Sequence, residues 1–145
     1  MKILSPVFRN KRRIPSKYSC DGENINPPLQ FFGVPEEAKS LALIMDDPDA
    51  VSGTWVHWLV WNIDASVLSI AEDSVPLGAM EGVTSSGLAG YGGPCPPLGT
   101  HRYFFKLFAL NYKLDLSMDA DRRRVEKAME GHIIGKAELI GLYAR

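Results

Sequence analysis

The N-terminal stretch MKILSPVFRNKRRIP lacks the apolar core of a secretory signal, because only Ile3 and Leu4 precede Ser5 and Pro6. No run approaches the roughly eighteen apolar residues of a membrane-spanning helix. These absences predict a cytoplasmic protein with no integral membrane association. Charge of one sign is not in excess either: 16 basic against 17 acidic side chains give a formal net charge of −1. No overall field therefore draws the chain onto nucleic acid or an anionic membrane, and an anionic partner must be caught locally. Cysteine is scarce. Cys20 lies in a Cys-Asp-Gly turn and Cys95 between two prolines, without the close spacing of a zinc or redox pair. In a cytoplasmic compartment both are expected to stay reduced. There is no nucleophile elbow, no His-Glu-x-x-His and no Ser beside the histidines of the apolar strands. The familiar hydrolase and zinc-site arrangements are thereby excluded, and no catalytic residue, metal or cofactor is expected.

What is present is an apolar fraction of 46% over 145 residues. That suffices for one domain, residues 1–145, burying about 70% of the surface its unfolded chain would expose. Residues 24–28 and 34–39 are turn-rich. Ser40 to Met45 is a short continuous apolar run and reads as a buried strand. Thr54 to Asp64 is apolar on both alternating faces, the pattern of a central strand covered on both sides. Arg102 to Asn111 is a third strand, in which His101, Tyr103, Phe105 and Leu107 share one face by the period of two. One helix is expected over Asp119 to Glu130, with acidic residues at its start, Val125, Ala128 and Met129 at helical spacing, and Gly131 as its stop. His132 would complement the helix C-terminal dipole, and the closing segment to Arg145 reads as a last strand. Several strands with one helix indicate an all-β, antiparallel sandwich.

Two stretches carry the functional signal: LIMDDPDAVSGTWVHWLVWNI, residues 43–63, and YGGPCPPLGTHRYFFKLFALN, residues 91–111. Each joins an apolar strand to a Pro/Gly-rich turn and places ionisable side chains at the junction, where polar groups usually serve a ligand. The candidates are Asp47, Asp49, His57, His101, Arg102 and Tyr103. Imidazole N–H, a phenol O–H and backbone N–H groups of the turn would converge on a phosphate or carboxylate. Asp47 cannot donate while ionised, and its expected role is to accept the second N–H of His57 or His101, fixing the ring and favouring its charged form. Asp49 is expected to close a turn or cap backbone N–H groups. Arg102 faces away from His101 and Tyr103 and reads as a structural ion-pair partner. Cys95 reads as inert packing. The Lys11-Arg12-Arg13 and Arg122-Arg123-Arg124 runs read as solvated faces, without the interleaved aromatics of a nucleic-acid platform.

These residues carry a family resemblance. Asp47-Pro48-Asp49, Trp55-x-His57-Trp58 and the run Gly93-Pro94-Cys95-Pro96-Pro97-x-Gly99-Thr100-His101-Arg102-Tyr103 are its strongest parts. Tyr18-x-Cys20-Asp21-Gly22, Pro27-Pro28-Leu29 and the segment from Gly131-His132 to Tyr143 extend it over nearly the whole chain. The chain resembles the phosphatidylethanolamine-binding protein family, also called the Raf kinase inhibitor protein family, and most closely its short bacterial and archaeal branch. The resemblance implies a Greek-key-like β-sandwich with a small preformed anion pocket lined by Asp47, His57, Pro96, Pro97, His101 and Tyr103. Asp49, Cys95 and Arg102 would stand behind that lining.

Three classes of function follow. The favoured reading is a non-catalytic, regulatory binding module for a small phosphoryl or carboxylate ligand, or for a phosphorylated group on a protein partner. A second is an inhibitor of kinases or proteases acting through exposed loops, which the resemblance allows. The third, an Asp/His hydrolase, lacks a recognisable nucleophile. A homodimer is compatible with the sequence.

Overall fold

The computed structural model describes residues 1–145. In chain order the elements are β1 (Lys2–Leu4), β2 (Arg12–Arg13), β3 (Leu29–Phe32), β4 (Ser40–Asp47), β5 (Trp55–Asp64), β6 (Ser69–Ile70), β7 (Met80–Glu81), β8 (His101–Leu110), α1 (Arg122–Met129) and β9 (Ile133–Tyr143). A three-stranded sheet runs β1-β3-β6 and a six-stranded sheet runs β2-β9-β8-β4-β5-β7. In the larger sheet β8 returns to lie beside β4 after β5 and β7 have been laid down, the order of a Greek key. The expected all-β sandwich is the observed architecture. One pairing departs from antiparallel: β2 runs parallel to β9, with Arg12 opposite Gly141.

The apolar strands are explained by what covers them. Leu41, Leu43 and Met45 of β4 pack toward the small sheet, meeting Ile3, Leu29, Phe31 and Ile70 in the main core. Ala42 and Ile44, one step out of phase, join Leu59, Trp61, Val125 and Met129 in a second core beneath α1. A strand with a core on each face reads as an unbroken apolar run. β5 shares this double burial but is not central, because only the two-residue β7 lies beyond it.

The helix is shorter than its expected span. Asp121 caps it by accepting the Arg124 N–H at 3.1 Å, and Gly131 leaves it in the left-handed region at φ 78°. The His132 ring meets Asn111 Oδ1 through Nδ1 at 3.0 Å and stacks on Tyr112, while its backbone N–H donates to the Met129 carbonyl at the helix end at 2.9 Å. One other expectation is corrected. Arg122 is not a solvated residue. It reaches the buried Asp46 carboxylate beneath the helix at 2.6 Å, beside Lys106 at 2.9 Å, and two cations offset the desolvation of one buried acid. No helix is long and apolar enough to cross a membrane.

Candidate functional site

Strand register decides which side chains meet at one end of the larger sheet. Asp47 continues the inter-sheet face of β4, and His101 and Tyr103 lie on the same face of β8 by simple alternation. His57 does not follow the same rule. Met45 pairs with Trp58 and Asp46 with Val56, so His57 is an extra residue, a β-bulge, in β5. Plain alternation would place it with Leu59 and Trp61 beneath the helix. The bulge turns it instead against Tyr103, edge to face with ring centroids 5.2 Å apart.

The resulting cavity encloses about 450 Å³ and is lined by all six candidate ligand residues, Asp47, His57, Pro96, Pro97, His101 and Tyr103, together with Cys95. Asp49 and Arg102 lie outside that lining. They form an exposed two-pronged pair, Arg102 Nε and Nη2 each 2.9 Å from an Asp49 oxygen, and the Arg102 backbone N–H also donates to Asp49 at 2.9 Å. The guanidinium hydrogen bonds hold the Asp49 carboxyl below the ordinary range. This pair joins the loop after β4 to the start of β8. The loop is thereby fixed on the site, although neither residue reaches the cavity lining.

Inside the cavity, each histidine has its Nδ1 committed. Asp47 Oδ2 accepts from His101 Nδ1 at 2.7 Å, while Asp47 Oδ1 accepts the Asp49 N–H at 2.8 Å. His57 Nδ1 lies 2.8 Å from the Gly92 carbonyl. A carbonyl and a carboxylate can only accept, so the proton of each neutral ring sits on Nδ1 and Nε2 carries a lone pair. Neither Nε2 has a protein partner. Burial lowers the His57 pKa, outweighing the Gly92 carbonyl and the Asp47 charge, and the ring is neutral at pH 7. The Tyr103 hydroxyl is buried with no hydrogen-bond partner; the Cys95 amide approaches it without reaching bonding geometry. Burial and the nearby Asp47 charge push the phenol up, so it stays protonated.

The wall opposite the sheet is the proline loop, set on a second loop, residues 18–24. The Tyr91 hydroxyl donates to the Tyr18 carbonyl at 2.7 Å, the Gly93 N–H to Asn24 Oδ1 at 2.7 Å, and the Cys20 N–H to the Pro94 carbonyl at 3.1 Å. The loops touch so closely at Gly93 that a Cβ there would stand 2.4 Å from the Tyr18 oxygen. A disulfide between Cys20 and Cys95, with Cα atoms 5.5 Å apart, completes the junction. The expectation of two reduced thiols is therefore corrected. Spacing rules look for neighbouring cysteines, whereas these two are separated by 75 positions and meet only because the loops pair. Asn24, Trp55, Ser86 and Cys20 also line the cavity; Trp55 and Cys20 lie in the stretches that carry the family resemblance, though not among its expected lining residues, and no motif marks Asn24 or Ser86.

The donor inventory differs from the expected one. Pro94, Pro96 and Pro97 have no N–H to offer, and no Lys or Arg lines the cavity. Its only permanent charge is the carboxylate of Asp47. At the two histidines donors come from the Tyr103 hydroxyl and from protonation of the imidazoles; Asn24, Ser52, Trp55 and Ser86 add neutral side-chain donors around the rest of the lining. No group of three or more His, Cys, Asp or Glu side chains is placed to hold a metal ion.

Comparison with known proteins agrees on kinship. The UPF0098 protein of Methanothermobacter thermautotrophicus is 52% identical over 150 aligned positions, covering 100% of this chain and 99% of that protein. The UPF0098 protein of Aquifex aeolicus is 47% identical over 152 positions, covering 100% and 89%. Among solved structures, the phosphatidylethanolamine-binding protein homologue CT736 of Chlamydia trachomatis superposes with a TM-score of 0.96 at 42% identity, over 99% of this chain and 97% of that one. Escherichia coli YbcL gives 0.93 at 31% identity, over 99% and 98%. The family model described as phosphatidylethanolamine-binding protein matches residues 4–144, and on that match and these relatives the chain belongs to the phosphatidylethanolamine-binding protein family.

Proposed function

We propose that the cavity binds, without catalysis, one small acidic group, a phosphoryl or carboxylate carried by a metabolite or by a modified protein, and that binding draws a proton into the site. The observation supporting this is the pair of imidazoles whose Nδ1 positions are taken, leaving two Nε2 atoms and the unpartnered Tyr103 O–H for a ligand. Neutral, those Nε2 atoms would face an anion with lone pairs and repel it; protonated, they become charge-assisted donors. Val51, 89% exposed, and Trp55 line the mouth and offer apolar contact to whatever bears the acid. The inhibitor reading draws on loop tips: Leu88 and Leu98 project with 71% and 85% exposure. As to location, the disulfide moves the expectation from an ordinary cytoplasm to an oxidising compartment, or to a cytoplasm of the hyperthermophile kind in which intracellular disulfides persist.

Methanesulfonate is a suitable probe because it stays singly charged across the histidine range. Its affinity is expected between about 1 µM and 1 mM, since so few atoms offer little binding energy. A bound anion raises the pKa of the His57 ring, which is depressed in the free pocket. Affinity is then greatest at low pH, where the free ring is already charged, and falls as pH rises through the free-pocket value, by up to about tenfold per pH unit for one proton. Calorimetry in buffers of unequal ionisation enthalpy should register the proton uptake. A flat pH profile with no buffer dependence would contradict the reading.

A further inference from the structure

We propose that the Cys20–Cys95 disulfide is a thiol-exchange site whose opening slackens the proline wall and weakens the pocket. This regulation rests on the anion-binding reading above. Three observations point to it. Both cysteines line the cavity, and Cys95 is exposed to solvent, so an external thiolate can reach a sulfur. The loop of residues 18–24 is itself anchored to the end of the chain, Tyr143 donating to Asp21 at 2.7 Å and Arg145 Nε lying 3.2 Å from the same carboxylate. Residues 95–100, between Pro94 and the start of β8, make no hydrogen bond to any part of the protein. Up to Pro94 the proline loop is held by hydrogen bonds; beyond it, as far as β8, the disulfide is the one cross-link, and only the packing of the buried Pro96 adds to it in holding the wall against the histidines.

The exchange balances with a dithiol as reductant. One thiolate of the dithiol attacks Cys95 Sγ, forming a mixed disulfide and expelling Cys20 as a thiolate, which takes a proton from solvent. The second thiolate of the dithiol then attacks its own sulfur in the mixed disulfide, releasing the Cys95 thiolate, which is protonated in turn. Two electrons have passed to the protein cystine and the dithiol has become a cyclic or intramolecular disulfide. The freed segment then samples many arrangements, and affinity falls in proportion to the time the wall spends in place.

The test uses the whole protein, with methanesulfonate as the probe, oxidised and after treatment with dithiothreitol, at a temperature where both forms stay folded by circular dichroism. Thiol titration of the native protein should give none before treatment and two after it. Methanesulfonate affinity should drop by about tenfold, as for a wall in place about a tenth of the time. The double variant Cys20→Ser/Cys95→Ser should bind as weakly as the reduced protein and ignore the reductant. Backbone order parameters give a readout that needs no ligand: the Cys95 amide should move from the rigid range near about 0.85 to below about 0.6 on reduction. If the oxidised protein fails to bind methanesulfonate, the anion reading falls, and the order parameter alone decides whether the wall is loosened. Equal affinity in both redox states, an unchanged Cys95 amide, or a disulfide that dithiothreitol opens only after denaturation would each overturn the proposal.

Discussion

Reduction of the Cys20–Cys95 disulfide is expected to lower the unfolding free energy by about 4 kcal/mol, the largest effect foreseen for any single covalent change in this chain. The bond closes a loop of 75 positions. Chain-entropy arguments give about 3 kcal/mol for a loop of fifteen residues and about 4.7 for one of a hundred, so this loop falls near the upper end. For a chain of this size each kcal/mol moves the melting temperature by about 2 to 4 °C, and a fall of roughly 8 to 16 °C follows. Scanning calorimetry with and without reductant measures it directly. The Cys20→Ser/Cys95→Ser variant should melt where the reduced protein melts, since both lack the same cross-link. A melting temperature unmoved by either change would mean that the hydrogen bonds from Tyr91, Gly93 and Cys20 already hold the two loops together in full.

Replacing His101 by Gln is expected to weaken methanesulfonate binding by about 1.5 to 3 kcal/mol, the usual worth of a hydrogen bond to a charged group. In affinity this is about tenfold to somewhat over a hundredfold. Gln keeps an N–H that can still donate to Asp47, so the buried carboxylate is not stranded and the fold should persist. The variant should therefore lose affinity while remaining folded. Titration calorimetry, with circular dichroism as the check on folding, measures the loss. Unchanged affinity would assign His101 to the core and remove it from the site.

Much of this arrangement is legible in the sequence, for definite reasons. The period of two puts His101 and Tyr103 on one face of β8, and the continuous apolar run of β4 announces a strand with a core on either side. The same alternation turns Arg102 away from the pocket, as an ion-pair residue, but that its partner is Asp49 depends on where the loop after β4 settles. Alternation fails at His57. A bulge inserts one residue opposite β4, and the side chain that plain counting assigns to the helix face turns into the cavity. No local composition signals such a bulge, since it depends on the register with a neighbouring strand. The cysteines escape for a related reason. Their meeting depends on the contact of two irregular loops, a tertiary event that spacing along the chain does not encode. The same holds for Arg122, whose partner Asp46 lies far away in sequence on the underside of β4.

The protonation state of the two pocket histidines bears most directly on the proposed function. Nitrogen-15 NMR of the imidazole rings, recorded while methanesulfonate is added near neutral pH, distinguishes a lone pair from an N–H at each Nε2. Free protein should show His57 as a neutral ring protonated on Nδ1, in keeping with its bond to the Gly92 carbonyl and its burial. On saturation the His57 ring should gain a proton on Nε2, with its Nδ1 proton retained and the Tyr103 hydroxyl shifted. Rings unaltered through saturation, with shifts confined to residues remote from His57, His101 and Tyr103, would contradict the account.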